Sequence, residues 1–438
     1  MGRGQPRTIV RHARARGGTR PPWVRVVRGA LTVVVVCSVA AVSLASIAAW
    51  RLTSTVASRS VDISNGSSSN GSSSSGSSSS GNGNRAGVAA PSIGAMSGAF
   101  TVLLVGEDNS SGQAGFGAAR DATLNDVNIL VHVAADHRSA TVVSIPRDLV
   151  IDQPVCTDPA TKQTYAAVVA EPLNTAISRG GLGCVVATVE QQTGVTIPYA
   201  ALFSFEGTVA MADAVGGVQV CATKAIDDPQ SGLKLKAGVS TISGRTALAY
   251  LRSRHGVGDG SDLGRIASQQ AYMSSLLRKM TSSSTLTDPT RLYALASAAA
   301  NNVALSKSLA GLDTMVTMML ALKQIPLAGI AFVQYPVATD PADVNKVVPD
   351  PVLAATLMQR VRAGRPITLG KDDLGVSAVL APKASHSSGA SSSSATTGTS
   401  PSERPSPSPS PSASSSSSIS GLKGQTAAEQ TCSVAASG

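Results

Sequence analysis

Residues 29–50 form a run of 22 residues without a charge, dominated by Val, Ala, Leu and Ile. At about 1.5 Å rise per residue, such a run matches a hydrocarbon core roughly 30 Å thick. A chain carrying it must place its folded part on one side of a membrane. Eight arginines between Arg3 and Arg28 precede the run, and only Arg51 and Arg59 follow it closely. The cytoplasmic bias of basic residues therefore predicts a cytoplasmic basic segment at 1–28, a single transmembrane helix at 29–50 and an extracytoplasmic remainder. A cleavable signal peptide is the alternative, since Ala45, Ser46, Ala48 and Ala49 end the run with small residues. The run exceeds the roughly 7–15 residues of a signal-peptide core, which favours a retained anchor.

The ten arginines of residues 1–60 account for the whole formal net charge of +10, because the remaining 26 basic residues balance 26 acidic ones. The exported part is neutral, which argues against a nucleic-acid-binding face. Residues 51–98 hold a tract of Ser, Gly and Asn that offers no apolar surface, so a flexible linker reaching on the order of 40 Å is expected there. Residues 383–438 are again Ser- and Pro-rich, and a disordered tail is expected. One domain, 99–382, remains, large enough to bury a sizeable core.

Of five cysteines, Cys37 falls in the apolar run, leaving Cys156, Cys184, Cys221 and Cys432 in an oxidising compartment. Cys156 with Cys184 is the preferred pair, with Cys221 a rival partner. No CxxC or Cys/His spacing suggests zinc.

Runs of branched residues predict strands at 101–106, 127–133 and 140–145, with a hairpin turn at 136–139. Helical spacing predicts helices at 182–192, 245–251, 262–280, 291–303 and 308–322, with late strands near Val218 and Phe332. A layered α/β/α domain with a central mixed sheet follows.

Three segments carry chemistry. The strand Thr-Val-Leu-Leu-Val ends in Gly106-Glu107-Asp108, and Asp126 precedes the next strand. Two ionised carboxylates about 4 Å apart repel by roughly 4 kcal/mol at an effective dielectric of 20, which a cation relieves. Magnesium suits an all-oxygen site of this kind; alternatively the acids cap turns. The third strand closes in Ser144-Ile145-Pro146-Arg147-Asp148, where Arg147 either points to the same sheet edge or pairs with Asp148 on the surface. Finally, Arg252-Ser253-Arg254-His255 leads through a glycine-rich loop to Ser261-Asp262-Leu263-Gly264-Arg265 and Gln269. Asp262 is the expected N-cap, and Arg265 and Gln269 share a helical face apart from the apolar stripe of Ile266, Met273, Leu276, Leu277 and Met280. Guanidinium forks grip phosphate oxygens in pairs, so clustered arginines beside paired acids indicate a metal–diphosphate cradle more than a solvated helix start. Met315, Met318 and Met319 are candidates for lining a lipid cavity. The histidines form no Ser/His/Asp or Cys/His signature.

These blocks, Thr-Val-Leu-Leu-Val-Gly-Glu-Asp, Thr-Val-Val-Ser-Ile-Pro-Arg-Asp and the Arg-x-Arg-His to Asp-Leu-Gly-Arg stretch, resemble the LytR-CpsA-Psr family of cell-wall ligases, actinobacterial type. Leu173-Asn174-Thr175-Ala176 with Gly180-Gly181 adds a weaker block. The resemblance implies a magnesium-dependent phosphotransferase of the cell membrane that moves a glycopolymer, teichoic-acid-like or arabinogalactan-like, from a polyprenyl diphosphate to peptidoglycan and releases polyprenyl phosphate. By position it implies Asp108 and Asp126 as metal ligands. It implies Arg147, Arg252, Arg254 and Arg265 on the diphosphate, with Gln269 as a polar helper, and Asp108, Asp126, Arg147 and Arg254 as the catalytic set. Where the family often has Arg-Ser-Asp this chain has Leu124-Asn125-Asp126, and Arg120 is the candidate replacement for the absent arginine. Pro172 stands where a basic residue is common. A polyprenyl diphosphate hydrolase and a noncatalytic extracytoplasmic scaffold are the alternative readings.

Overall fold

A computed structural model describes residues 54–63, 96–108, 123–282, 288–370, 373–381 and 418–436. The expected membrane span and cytoplasmic segment lie outside the described residues, as does Arg120.

In chain order the principal elements begin with β1 (Phe100–Asp108), β2 (Leu124–Val133), β3 (Ala140–Ile145), α1 (Ala176–Thr193), β4 (Tyr199–Phe203) and α2 (Phe205–Ala214). Then come β5 (Val218–Ala222), β6 (Ile226–Asp228), β7 (Leu233–Leu235), β8 (Gly238–Ile242), α3 (Gly244–Arg252), α4 (Asp262–Met280) and α5 (Pro289–Asn302). The last are β9 (Val303–Leu305), α6 (Leu312–Lys323), β10 (Ile330–Gln334), α7 (Pro351–Arg362), β11 (Ala378–Leu380), β12 (Gly424–Thr426) and β13 (Thr431–Ser433).

The central sheet runs β9-β4-β1-β2-β3-β10-β12. It is mixed: β1 pairs parallel with β4 and antiparallel with β2, and β3 pairs antiparallel with β2 and parallel with β10. Its strands alternate with period two, and both faces are buried. Leu103, Val105, Leu130, Val143 and Val333 pack under α1 and α7, while Phe100, Ile129, Val142 and Phe332 pack with Met318 and Ala321 of α6. Runs of branched residues predicted β1–β3, and the sheet, buried on both faces, accounts for their near-continuous apolar character. The turn between β2 and β3 sits where expected, with His137 at φ 52°. A second sheet, β8-β5-β13-β11, and the hairpin β6–β7 cover α3 and part of α4.

Three expectations are corrected. Part of the expected linker is folded: residues 54–58 form a helical turn, Val56 is buried, and Val61 bridges to Ser306 while Asp62 pairs with Lys307 at 3.0 Å. Its few apolar residues, Val56, Val61 and Ile63, find surface to bury before the Ser/Gly tract begins. The expected disordered tail is overturned at 418–436, and with it the domain end at 382, while residues 383–417 lie outside the described residues. Ile419, Leu422 and Ala427 are buried, β12 pairs with β10 at the sheet edge, and β13 enters the second sheet. Two disulfides form: Cys156–Cys184, the preferred pair, and Cys221–Cys432, which ties the carboxy-terminal segment to β5. Finally, Met318 belongs to the sheet core, Met315 packs against it and Met319 is exposed, so none of the three lines the cavity described below.

Candidate active site

Asp108, Asp126, Arg147, Arg252, Arg254, Arg265 and Gln269 line one cavity of about 360 Å³. They arrive from five places, β1, β2, the segment after β3, the end of α3 and α4. Asp108 ends β1, and Asp126 lies at a break in the β1–β2 register: Gly106 pairs with Val127 and Glu107 with Asn125, which leaves Asp126 as the extra residue. A bulge of this kind re-aims side chains beside functional sites. Asn125 behind it is fully buried and accepts a hydrogen bond from the Ile177 amide, tying the bulge to α1.

Arg147 follows β3, where Pro146 stops strand pairing. Its Nη1 donates to Asp126 Oδ1 at 3.0 Å, and its Nε lies 3.3 Å from Asp148 and 3.6 Å from Asp262. Burial alone would disfavour this cation, but Asp126, Asp148 and Asp262 together outweigh it and raise its pKa. The surface-pair alternative is thereby set aside, since the Arg147 side chain is only 12% exposed. Burial also raises the Asp148 carboxyl, with Arg147 opposing.

Helix α4 spans the predicted residues 262–280, but its cap differs. Ser261 is the N-cap, accepting from Gly264 N, and Asp262 occupies the first turn. That corrects the capping role expected of Asp262. Its carboxylate is instead buried between two guanidiniums, 2.7 Å from Arg265 Nη2 and 3.6 Å from Arg147 Nε, without hydrogen-bond alignment to either. Arg265 also donates from Nη2 to the Asp126 carbonyl at 2.8 Å, while its buried Nε finds no acceptor among the described residues. Such a buried orphan donor is rare in folded proteins and expects an acceptor.

Arg252, at the end of α3, lies over the Phe205 ring, 4.4 Å from its centroid. Gln269 donates to the Leu251 carbonyl and thereby joins α4 to the end of α3. Burial, followed by the nearby Arg147 and Arg265, lowers the Arg254 pKa, with Asp262 and Asp148 acting in the opposite sense.

The face of α4 carrying Arg265 and Gln269 differs from expectation. Met273, Leu276 and Met280 line the same cavity rather than a separate apolar stripe. From Arg265 to Met280 the helix advances about 22 Å, so one wall passes from guanidinium to pure hydrocarbon. Phe203, Met211 and Val215 complete the apolar stretch.

Glu107, which sequence reasoning passed over, lines the cavity beside Asp108. Burial first, and then Glu206, raises its pKa. A folded-state pKa above the unfolded value of about 4.3 means that ionised Glu107 destabilises the fold. Stability falls as pH rises from that value through the raised one. Glu107→Gln is expected to raise the Tm at about pH 7, and the gain is expected to vanish below about pH 4; thermal unfolding at both pH values checks it.

Among the described residues no group of three or more His, Cys, Asp or Glu side chains could hold a metal ion. Asp108 and Asp126 both bring hard oxygen donors to this cavity. That pair fits magnesium, which is commonly bound by one or two carboxylates with substrate phosphates and water.

Residues 54–358 match the LytR_cpsA_psr family model. The chain is 34% identical over 238 residues to the cell wall biosynthesis protein LcpA of Corynebacterium glutamicum, covering 49% of this chain and 46% of that protein. It is 31% identical over 202 residues to the probable cell wall biosynthesis protein LcpB of the same organism, covering 44% and 45%. Against the polyisoprenyl-teichoic acid–peptidoglycan teichoic acid transferase TagU of Bacillus cereus it is 30% identical over 191 residues, covering 43% and 54%. The chain spans about half the length of the curated relatives it matches. A match over more than half of its residues, on the segments that build the arginine-lined cavity, places the chain in the LytR-CpsA-Psr family.

Proposed function

We propose that this chain is a membrane-anchored, extracytoplasmic phosphotransferase that moves a glycopolymer from a polyprenyl diphosphate to peptidoglycan and releases polyprenyl phosphate. The observation that carries this is the cavity itself, with guanidiniums and carboxylates at one end of the α4 wall and Met, Leu and Val at the other. A prenyl diphosphate has that same division of polarity. Relatives named for teichoic acid transfer and cell wall biosynthesis support the reaction class.

Arg147 and Arg265 are held in place by acids before any ligand arrives, so their donors need no reorganisation when phosphoryl charge develops. Arg252 and Arg254 add two further forks, and their bidentate geometry orients the diphosphate. Magnesium would be held by Asp108 and Asp126 and would supply charge neutralisation on the phosphoryl oxygens. A glycan hydroxyl attacks the phosphorus that bears the glycopolymer. The new P–O bond forms as the bridging P–O bond breaks, the electron pair leaving with polyprenyl phosphate. The hydroxyl proton passes to Asp126 or to a phosphate oxygen within reach.

The test is product analysis. Full-length chain in detergent, magnesium and a radiolabelled polyprenyl-diphosphate glycan are incubated with and without peptidoglycan. Label is expected in the peptidoglycan fraction; label released as free glycan phosphate in both samples would identify a hydrolase, and label remaining on lipid a scaffold.

A further inference from the structure

Resting on the reading of the cavity as a diphosphate site, we propose that Asp228, acting through Ser253, is the positioning residue that aims Arg252 and Arg254 at the ligand. Ser253 ends helix α3 with extended backbone, φ −63° and ψ 125°. Arg252 and Arg254 line the cavity, as does Asp228, while the Ser253 side chain between the two arginines is absent from its walls and fully buried.

There Ser253 Oγ donates to Asp228 Oδ2 at 2.6 Å. The other carboxylate oxygen is already engaged: Asp228 Oδ1 accepts from the amides of Gln230 at 3.0 Å and Ser231 at 3.3 Å, in the turn of the β6–β7 hairpin. Asp228 is thus locked to its own hairpin and reaches across to one hydroxyl on the arginine segment. Burial opposes its ionisation, and the hydrogen bonds from Ser253, Ser231 and Gln230 outweigh burial and hold the carboxyl below its ordinary range. Gly256 marks the same seam, since a Cβ there would come within 2.8–2.9 Å of Ile226, Asp228 and Ser253. Two arginines separated by one residue keep a constant separation only if that residue is fixed. The hairpin supplies the fixed point.

The probes are geranylgeranyl diphosphate and geranylgeraniol, titrated into the full chain in magnesium-containing buffer. Ser253→Ala is expected to weaken diphosphate binding about tenfold, the loss of one charge-assisted hydrogen bond, and to leave binding of the alcohol unchanged. Ser253→Thr, which restores the hydroxyl, is expected to recover it. A merely structural role would weaken both ligands alike, and that result, or an unchanged preference for the diphosphate in Ser253→Ala, overturns the proposal. If Ser253→Ala fails to fold, Ser253→Cys, which keeps the side-chain shape and weakens the hydrogen bond to Asp228, decides the question by the same two titrations. Wild-type chain that does not prefer the diphosphate to the alcohol would overturn the diphosphate reading itself, a different result from a wild-type preference that survives both substitutions.

Discussion

Replacing Arg254 by alanine is expected to lower transfer to peptidoglycan by about 10²–10³-fold, the usual cost of removing one preorganised charge-stabilising donor, without lowering the Tm. The two halves of this expectation have one cause. Among the described residues no carboxylate lies within ion-pairing distance of Arg254, and burial first, then Arg147 and Arg265, disfavours its charge more than Asp262 and Asp148 favour it. In the absence of an anion its buried charge is disfavoured, so its removal is not expected to cost stability. A binding site that keeps a buried charge without a partner is a common trade of stability for function. Arg265→Ala is the informative contrast, because Arg265 is buried, faces Asp262 and donates to the Asp126 carbonyl. It is expected to lose activity and Tm together, since its loss strands the buried Asp262 carboxylate. Thermal unfolding and the radiolabel transfer assay on both variants check the distinction.

Removing the Cys221–Cys432 disulfide by paired serine substitutions is expected to cost about 2–4 kcal/mol of unfolding free energy. The bond closes a loop of 211 residues in sequence, against 28 for Cys156–Cys184. Chain-entropy reasoning puts ceilings of about 5 and about 3.6 kcal/mol on the two, so the longer closure is expected to matter more. The consequence reaches the site. Gly258 N donates to the Val434 carbonyl and Ala436 N to the Gly256 carbonyl, so the carboxy-terminal segment is strapped along the loop that leads to Asp262. Ser433 Oγ lies within hydrogen-bond distance of Tyr250 Oη and Ser268 Oγ, and Arg278 of α4 donates to the carbonyls of Ala427 and Glu429. Burial pushes the Tyr250 hydroxyl up to about 12, so it remains a neutral partner of Ser433 at physiological pH. Urea unfolding of the oxidised chain and the paired-serine variant measures the cost. Hydrogen exchange at 254–262 and 424–436 is expected to accelerate together in the variant, since one strap holds both.

The elements nearest the acids were legible because they are long and periodic. β1, β2 and β3 are runs of six to ten residues rich in branched side chains, and α4 repeats its pattern over 19 residues. Strand-end acids and the arginine block were legible as chemistry, and the described candidates among them share one cavity. What stayed illegible was short or relational. β12 and β13 have three residues each, too few for a period, and a Ser/Pro-rich stretch separates them from the rest of the chain. Asp262 looked like a cap because it follows a glycine-rich loop, but whether a residue caps or enters the first turn depends on one backbone dihedral. Asp228 carries no sequence signal that names Ser253 as its partner.

The sequence by itself determined the local conformations, the export-type charge distribution and the identity of the groups able to grip phosphate. Side-chain pattern and backbone propensity act over a few residues, and those properties need nothing more. Tertiary structure alone decided which acid holds which arginine, which face of α4 meets the cavity and which cysteine closes on β5. Those choices depend on free energies between segments tens to hundreds of residues apart, settled only when the sheets and helices pack together.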